Sequence, residues 1–263
     1  MSIAPLTDEE ALPEAPAERL PLVVSPGILE DKASWRAALN PLDHDVVVIP
    51  NEGPTVAEMA HVLLDKAPVR FVLLGHSLGG YVAMAATLAA PARVAGLVLV
   101  STTAQPETEA MTGKRMALVE AARDDFPAVL RRLARASLAR DHRAMQQAPL
   151  EAAMLAAGPA RFAREQMAAA SRPAFAAGLA TIHCPVLVIA GVEDVVIDHA
   201  ASVSLADAVP GATLVSLPGC GHMPHLEVPD IFVGALRDWL ARQSSMPGAV
   251  KGDPSRHVGQ RRD

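Results

Sequence analysis

The feature that most constrains this chain is an alternation that begins near Leu20. Short runs rich in β-branched and aliphatic residues are separated by stretches in which apolar side chains recur at i, i+3 and i+4. The strand-like runs are Leu22–Ser25, Val46–Pro50, Val69–Leu74, Val94–Ser101, Val186–Ala190 and Thr213–Leu217. They are nearly all apolar, as strands covered on both faces must be. Asp31–Leu39, Thr55–Lys66, Leu78–Ala89, Asp198–Val209 and Val228–Arg242 have the helical period. Strand, helix, strand in succession predicts an α/β fold with about six mostly parallel strands and right-handed crossovers.

Residues 105–181 interrupt the rhythm with an Ala-, Leu- and Arg-rich segment in which Pro127, Pro149, Pro159 and Pro173 are spaced as helix starts or stops. We read residues 20–104 and 182–242 as the core, 105–181 as an inserted helical lid, and 243–263, which has no period, as a mobile tail. Over Met111–Arg172, eleven Lys/Arg stand against six Asp/Glu, so the insertion is basic although the 263-residue chain carries a net charge of −6.

Composition narrows the function classes. With 51% hydrophobic and 20% charged residues the chain has material for a sizeable core. An acidic chain with 3% aromatics offers neither the basic surface nor the stacking platforms of a nucleic-acid binder. The apolar runs fall far short of the ~20 residues that span a bilayer. The opening MSIAPLTDEEALPEAPAERL lacks the basic end and apolar run of a secretory signal, so a cytoplasmic location is expected. Cys184 precedes its strand and Cys220 follows the next one, which places them a strand length apart and predicts no disulfide.

The sharpest motif is Gly75-His76-Ser77-Leu78-Gly79-Gly80, set between an apolar strand and a helix. A strand turning abruptly into a helix strains the middle residue and needs glycines where a Cβ would collide. Ser77 then stands clear at the strand end, and the first-turn amides, including that of Leu78, face a developing oxyanion. A serine hydroxyl requires a base and an acid to orient that base. The strand ending at Ala190 runs into Gly191-Val192-Glu193-Asp194, and the strand ending at Leu217 runs into Gly219-Cys220-Gly221-His222. All three segments leave carboxyl ends of strands, the edge where open α/β sheets bind ligands.

GHSLGG at 75–80, GVED at 191–194 and GCGHMPHLE at 219–227 together make the chain similar to the α/β-hydrolases over residues 20–242. The resemblance implies Ser77 as nucleophile, Asp194 as acid and His222 as base, with Glu193 the rival acid. It also implies an oxyanion hole from the Ile28 and Leu78 amides. Pro26 stands where the family commonly has His, so the hydrogen bonds of that imidazole are missing. Residues before Leu20 make poor strands, so the family's first two strands are expected to be absent. His76 is expected to pack beside the nucleophile.

His225 follows His222 by three residues, but no third ligand lies nearby in sequence, so neither a metal nor another cofactor is expected. Leu29, Phe162, Met167 and Met223 are expected to line the pocket with Ile28 and Leu78, an apolar setting for a small or medium substrate. Arg161, Arg164 and Arg172 either face water or neutralise a substrate carboxylate.

The resulting expectation is a serine hydrolase that cleaves a carboxylic ester or lactone through an acyl-enzyme. A carbon–carbon bond hydrolase, a cofactor-free haloperoxidase and a non-catalytic ligand receptor are the alternatives. Its partner would be a small molecule, with no nucleic acid or membrane, and the chain a monomer or homodimer. A histidine base predicts activity that falls below about pH 6.

Overall fold

A computed structural model describes residues 19–244. Its six strands are β1 (Leu22–Ser25), β2 (Val46–Val48), β3 (Phe71–His76), β4 (Val94–Val100), β5 (Val186–Gly191) and β6 (Thr213–Leu217). They form one wholly parallel sheet in the order β2-β1-β3-β4-β5-β6. The order reverses between β1 and β3, and that switch point opens a crevice at the carboxyl ends. The family's first two strands, expected from the poor strand sequence before Leu20 to be absent, would fall outside the described residues, as nearly all of the tail from 243 onward does.

Five helices return the chain between strands or close the sheet: α1 (Lys32–Leu39), α2 (Val56–Lys66), α3 (Leu78–Ala89), α8 (His199–Ala208) and α10 (Pro229–Ser244). Their starts are chemically marked. Asp31 accepts from the Ser34 amide at 2.7 Å, and Thr55 from the Glu58 amide at 3.2 Å. These caps satisfy amides that have no helical partner.

Alternation along each strand splits the interior into two layers. Leu73, Leu97, Leu99 and Val188 pack against α2, α3 and α8. Val72, Leu74, Val98 and Ile189 pack against Trp35 of α1 and Phe232, Leu236 and Trp239 of α10. Because neighbouring residues on one strand face opposite layers, a register slip of one residue would unseat both, which fixes the heights of the strand ends carrying the site.

Between β4 and β5 lie α4 (Glu109–Ser137), α5 (Arg143–Ala157), α6 (Pro159–Ala170) and α7 (Ala176–Leu179). Phe126, Val129, Leu130, Leu150, Met154 and Phe162 give this insertion a cluster of its own, shared with Leu29 and Met223 of the core. The prolines act as the spacing suggests, with one exception. Pro159 begins α6, Pro173 follows its end, and Pro127 sits in a restart where Asp125 leaves helical angles and caps the Ala128 amide at 2.8 Å. Pro149 lies inside α5 without breaking it.

Two smaller differences concern boundaries. Val69 is 86% exposed, and β3 begins only at Phe71. The short helix α9 (Pro224–Glu227) carries no helical period long enough to be seen in sequence. No described helix is long and apolar enough to cross a membrane.

Candidate active site

Ser77 sits at φ 52°, ψ −112°, a conformation that L-residues rarely adopt, between the end of β3 and the start of α3. The strain is held by close packing. A Cβ on Gly75 would strike the Gly79 carbonyl, one on Gly79 would strike the Ser25 carbonyl, and one on Gly80 would lie 2.6 Å from Thr102 Cβ. The elbow is thus pressed against the loop after β1 and the end of β4. The Ser77 amide donates to the Val100 carbonyl at 3.0 Å, and Thr102 Oγ1 donates to the Ser77 carbonyl at 2.9 Å.

Asp194 leaves β5 buried. Its Oδ1 accepts the Val196 and Ile197 amides at 2.8 and 2.9 Å, and its Oδ2 lies 2.7 Å from His222 Nδ1. Burial alone would raise the Asp194 carboxyl; His222 and the two amides outweigh it and hold the acid below its ordinary range. Glu193, the rival acid, is exposed. The Nδ1 contact leaves His222 Nε2 as the nitrogen available to a reacting group. Ser77 and His222 both line one cavity of about 650 Å³.

Glu227 fixes the loop that carries His222. Its carboxylate accepts the amides of Gly221 (3.0 Å), Met223 (2.9 Å) and Ala139 (2.7 Å), while the His222 amide donates to the Ser137 carbonyl at 2.9 Å. This loop therefore rests on the insertion as well as on the core.

On the opposite side the loop after β1 is braced by groups that the sequence did not single out. The Gly27 amide donates to Glu30 Oε2 at 2.5 Å and the Leu29 amide to Glu165 Oε2 at 2.7 Å. The Ile28 amide between them makes no hydrogen bond to a described residue. Asn51 joins β1 to this loop, accepting from Ser25 Oγ and donating to the Pro26 carbonyl, each at 2.7 Å. Glu30, Asn51 and Glu165 thus brace the loop that carries Pro26 and Ile28.

Glu30 also meets His76 and His225 in a cluster that does not include His222. Its Oε1 lies 2.8 Å from His76 Nδ1 and 3.8 Å from His225 Nε2, and the three donor atoms fall within 4.8 Å of one another. Burial raises the Glu30 carboxyl, but His76 more than reverses this and holds it at about 2. Burial lowers His76, yet Glu30 outweighs it and the net shift is upward. His225, stacked on Trp35 at 4.0 Å, is driven down to about 3 by burial. The set is thus a buried carboxylate between two buried imidazoles. His76 Nε2 lies 2.8 Å from the His222 carbonyl, to which a ring N–H donates.

The cavity brings together Ser77, His222, Ile28, Leu78, Leu29 and Met223. It excludes two residues expected to line it. Phe162 is buried against Leu29, Met223 and Phe126 behind the cavity wall, and Met167 is 43% exposed on the outer side of α6. The phase of α6 presents Gln166 and Ala169 to the cavity instead. Both cysteines are free; burial pushes Cys184 up to about 11, and burial with the nearby Glu227 carboxylate pushes Cys220 far up.

A parallel six-stranded sheet with a strained strand–helix elbow and a helical insertion after its fourth described strand defines an α/β-hydrolase. The profile of the serine aminopeptidase S33 family (Hydrolase_4) matches residues 56–229, and the chain belongs to that family of hydrolases. The chain is 32% identical over 188 residues to the pimeloyl-(acyl-carrier protein) methyl ester esterase of Nitrosomonas europaea, covering 68% of this chain and 75% of the relative. It is 29% identical over 265 residues to RutD of Variovorax paradoxus, which carries a provisional carbamate-hydrolase name, covering 89% and 96%. A thermophilic esterase from Thermogutta terrifontis superposes with a TM-score of 0.76 at 26% identity, covering 86% of this chain and 91% of that one.

Proposed function

We propose that the protein is a serine hydrolase that cleaves a carboxylic ester or lactone by an acyl-enzyme route, with Ser77, His222 and Asp194 as its catalytic residues. The observation that carries this reading is the His222–Asp194 contact of 2.7 Å, facing a cavity that also contains the strained Ser77.

In this reading Ser77 Oγ attacks the ester carbonyl while His222 Nε2 takes its proton. Asp194 holds the Nδ1–H tautomer and stabilises the imidazolium. The negative oxygen of the tetrahedral intermediate is received by the Ile28 and Leu78 amides. Collapse expels the alcohol, which leaves with the proton that His222 returns. Water, activated by the same base, then releases the acid and restores Ser77. Helices α4–α6 serve as a lid over the cavity, and Ile28, Leu29, Leu78 and Met223 supply its apolar lining.

The test is a fluorophosphonate probe followed by peptide mapping. Labelling confined to the peptide containing Ser77, and lost in Ser77→Ala, is the expected result. An unlabelled wild-type protein would favour a ligand receptor of the same fold. A panel of p-nitrophenyl esters and lactones of graded chain length then separates ester from lactone preference.

A further inference from the structure

The cavity wall built by α3, α4 and the end of α6 holds more positive than negative charge, and the excess is substantially buried. Tyr81, Gln105, Lys114, Arg115, Gln166 and Arg172 line it. A single carboxylate, Glu107, bridges two guanidiniums: it lies 3.0 Å from Arg115 Nε and contacts Arg172 Nη1. The side chains of Arg172, Glu107 and Arg115 are only 1%, 6% and 20% exposed. Neutral groups hold the rest of the array. Arg115 Nη1 donates to Gln166 Oε1 at 2.9 Å, Arg172 Nε donates to the Gln105 carbonyl at 3.0 Å, and the Arg172 guanidinium lies 4.8 Å over the Tyr81 ring.

No other acid relieves this excess. Lys114 makes no ion pair among the described residues. Of the acids that line the cavity, Glu30 is committed to His76, and Asp198 caps the Ala200 amide at 3.0 Å. Glu165 is paired with Arg161 at 2.7 Å. Two guanidiniums sharing one carboxylate in a poorly hydrated wall leave an uncompensated cation, an arrangement that costs stability unless an anion completes it. Arginine pairs are well suited to a carboxylate because their planar donors match its two oxygens.

Position sets the size of the missing partner. Tyr81 lies in the first turn of α3, which begins at Leu78 directly after Ser77. A helix rises ~1.5 Å per residue, so this wall stands within roughly one turn of the elbow along the helix axis. We infer that the cavity selects esters or lactones whose acyl group carries a carboxylate a few carbons from the scissile carbonyl, received by Arg115 and Lys114, while Arg172, whose donors are taken by Gln105, Pro106, Glu107, Ala169 and Met111, adds only its charge. The inference rests on the proposed serine-hydrolase reading and names its substrate class. Of the arginines weighed from sequence, Arg172 belongs to this wall, whereas Arg161 is tied to Glu165 and to the Glu30 carbonyl at 2.7 Å.

Monomethyl succinate, glutarate and adipate compared with methyl butanoate, pentanoate and hexanoate give the test. At pH 7.5 and low salt, kcat/KM is expected to favour at least one half-ester by ~10-fold or more, the worth of one good charge-assisted contact. Arg115→Gln is expected to remove most of that ratio, and Arg115→Lys to keep part of it. A thermal-shift titration with glutarate against its neutral diamide, glutaramide, at matched ionic strength, reads the subsite without turnover: glutarate should raise Tm and glutaramide should not. Should Arg115→Gln fail to fold, Lys114→Gln on the exposed cavity rim takes its place, with a smaller loss of the ratio expected. Equal kcat/KM for half-esters and neutral esters, with no shift from glutarate, overturns the subsite while leaving the serine hydrolase intact. Absent probe labelling overturns the underlying reading, and a glutarate shift in that same protein would still support the anion site.

Discussion

His76 Nε2 lies 2.8 Å from the carbonyl of His222, so the residue that precedes the proposed nucleophile grips the backbone of the proposed base across the cleft. Glu30, 2.8 Å from His76 Nδ1, fixes that grip from behind. His76 thereby acts as a positioning residue. Replacing His76 by Phe, which fills the space without donating, is expected to lower kcat ~10–100-fold and leave KM nearly unchanged, as small misplacements of a reacting group do. Steady-state kinetics on a neutral ester check it; an effect on KM alone would reject the positioning role.

Asp194→Asn should leave the fold intact, because Oδ1 can still accept the Val196 and Ile197 amides. The amide cannot hold the imidazole in the required tautomer, and a loss of ~10⁴ in kcat is expected. Glu193→Gln on the exposed neighbour should change kcat less than twofold. If instead Glu193→Gln abolished turnover and Asp194→Asn did not, the acid would be misassigned.

His225 makes stability depend on pH in a definite direction. Its folded pKa of about 3 lies below the ordinary histidine value, so between about pH 6.5 and 3 the unfolded chain binds a proton that the folded chain refuses. Acidification through that window therefore removes stability, at up to about 1.4 kcal/mol per pH unit from this one group. Glu30, held at about 2, acts in the same sense, its contribution present above its ordinary range and lost as pH falls towards 2. His76, shifted upward, adds stability below its ordinary value and loses it as pH rises through the folded one. His225→Phe, which preserves the stack on Trp35, should flatten the fall of Tm between pH 6.5 and 4. Parallel Tm profiles for variant and wild type would show that His225 does not drive it.

Gly79→Ala tests the elbow. The added methyl would occupy the space of the Ser25 carbonyl, and neither β1 nor α3 can yield without moving the loop after β1. Urea unfolding should show a loss of ~3 kcal/mol or more, or no folded protein, beyond the ~1–3 kcal/mol typical of overpacking. Gly113→Ala, at a helical site with open space around it, should be neutral or slightly stabilising.

Much of the molecule could be read from the chain because the informative signals are local. The strand runs match the sheet to within two residues at each end; β1, β3, β4 and β5 are buried along almost their whole length, so few polar residues blur their limits. Ser77, Asp194 and His222 each follow such a strand within a few residues, so sheet geometry alone brings their segments to one edge. Glu30, Asn51, Glu107 and Glu165 were not legible for the opposite reason. Each acts on a partner whose nearness exists only after folding, as with Glu165 and Leu29, 136 residues apart. Phe162 and Met167 were misplaced because an amphipathic helix caught between a core and a cavity has two inward faces, and hydrophobicity marks only the drier one.

The bond from the Leu29 amide to Glu165, with that from Arg161 to the Glu30 carbonyl, anchors the helical insertion to the very loop that presents Ile28. The insertion is therefore no interchangeable module. A chimaera that grafts a relative's helices onto this sheet, without a carboxylate at the place of Glu165, would strand the Leu29 amide and slacken the β1 loop. Swapping specificity between relatives then requires exchanging both segments together, even though one lies in the first forty residues and the other begins beyond residue 105.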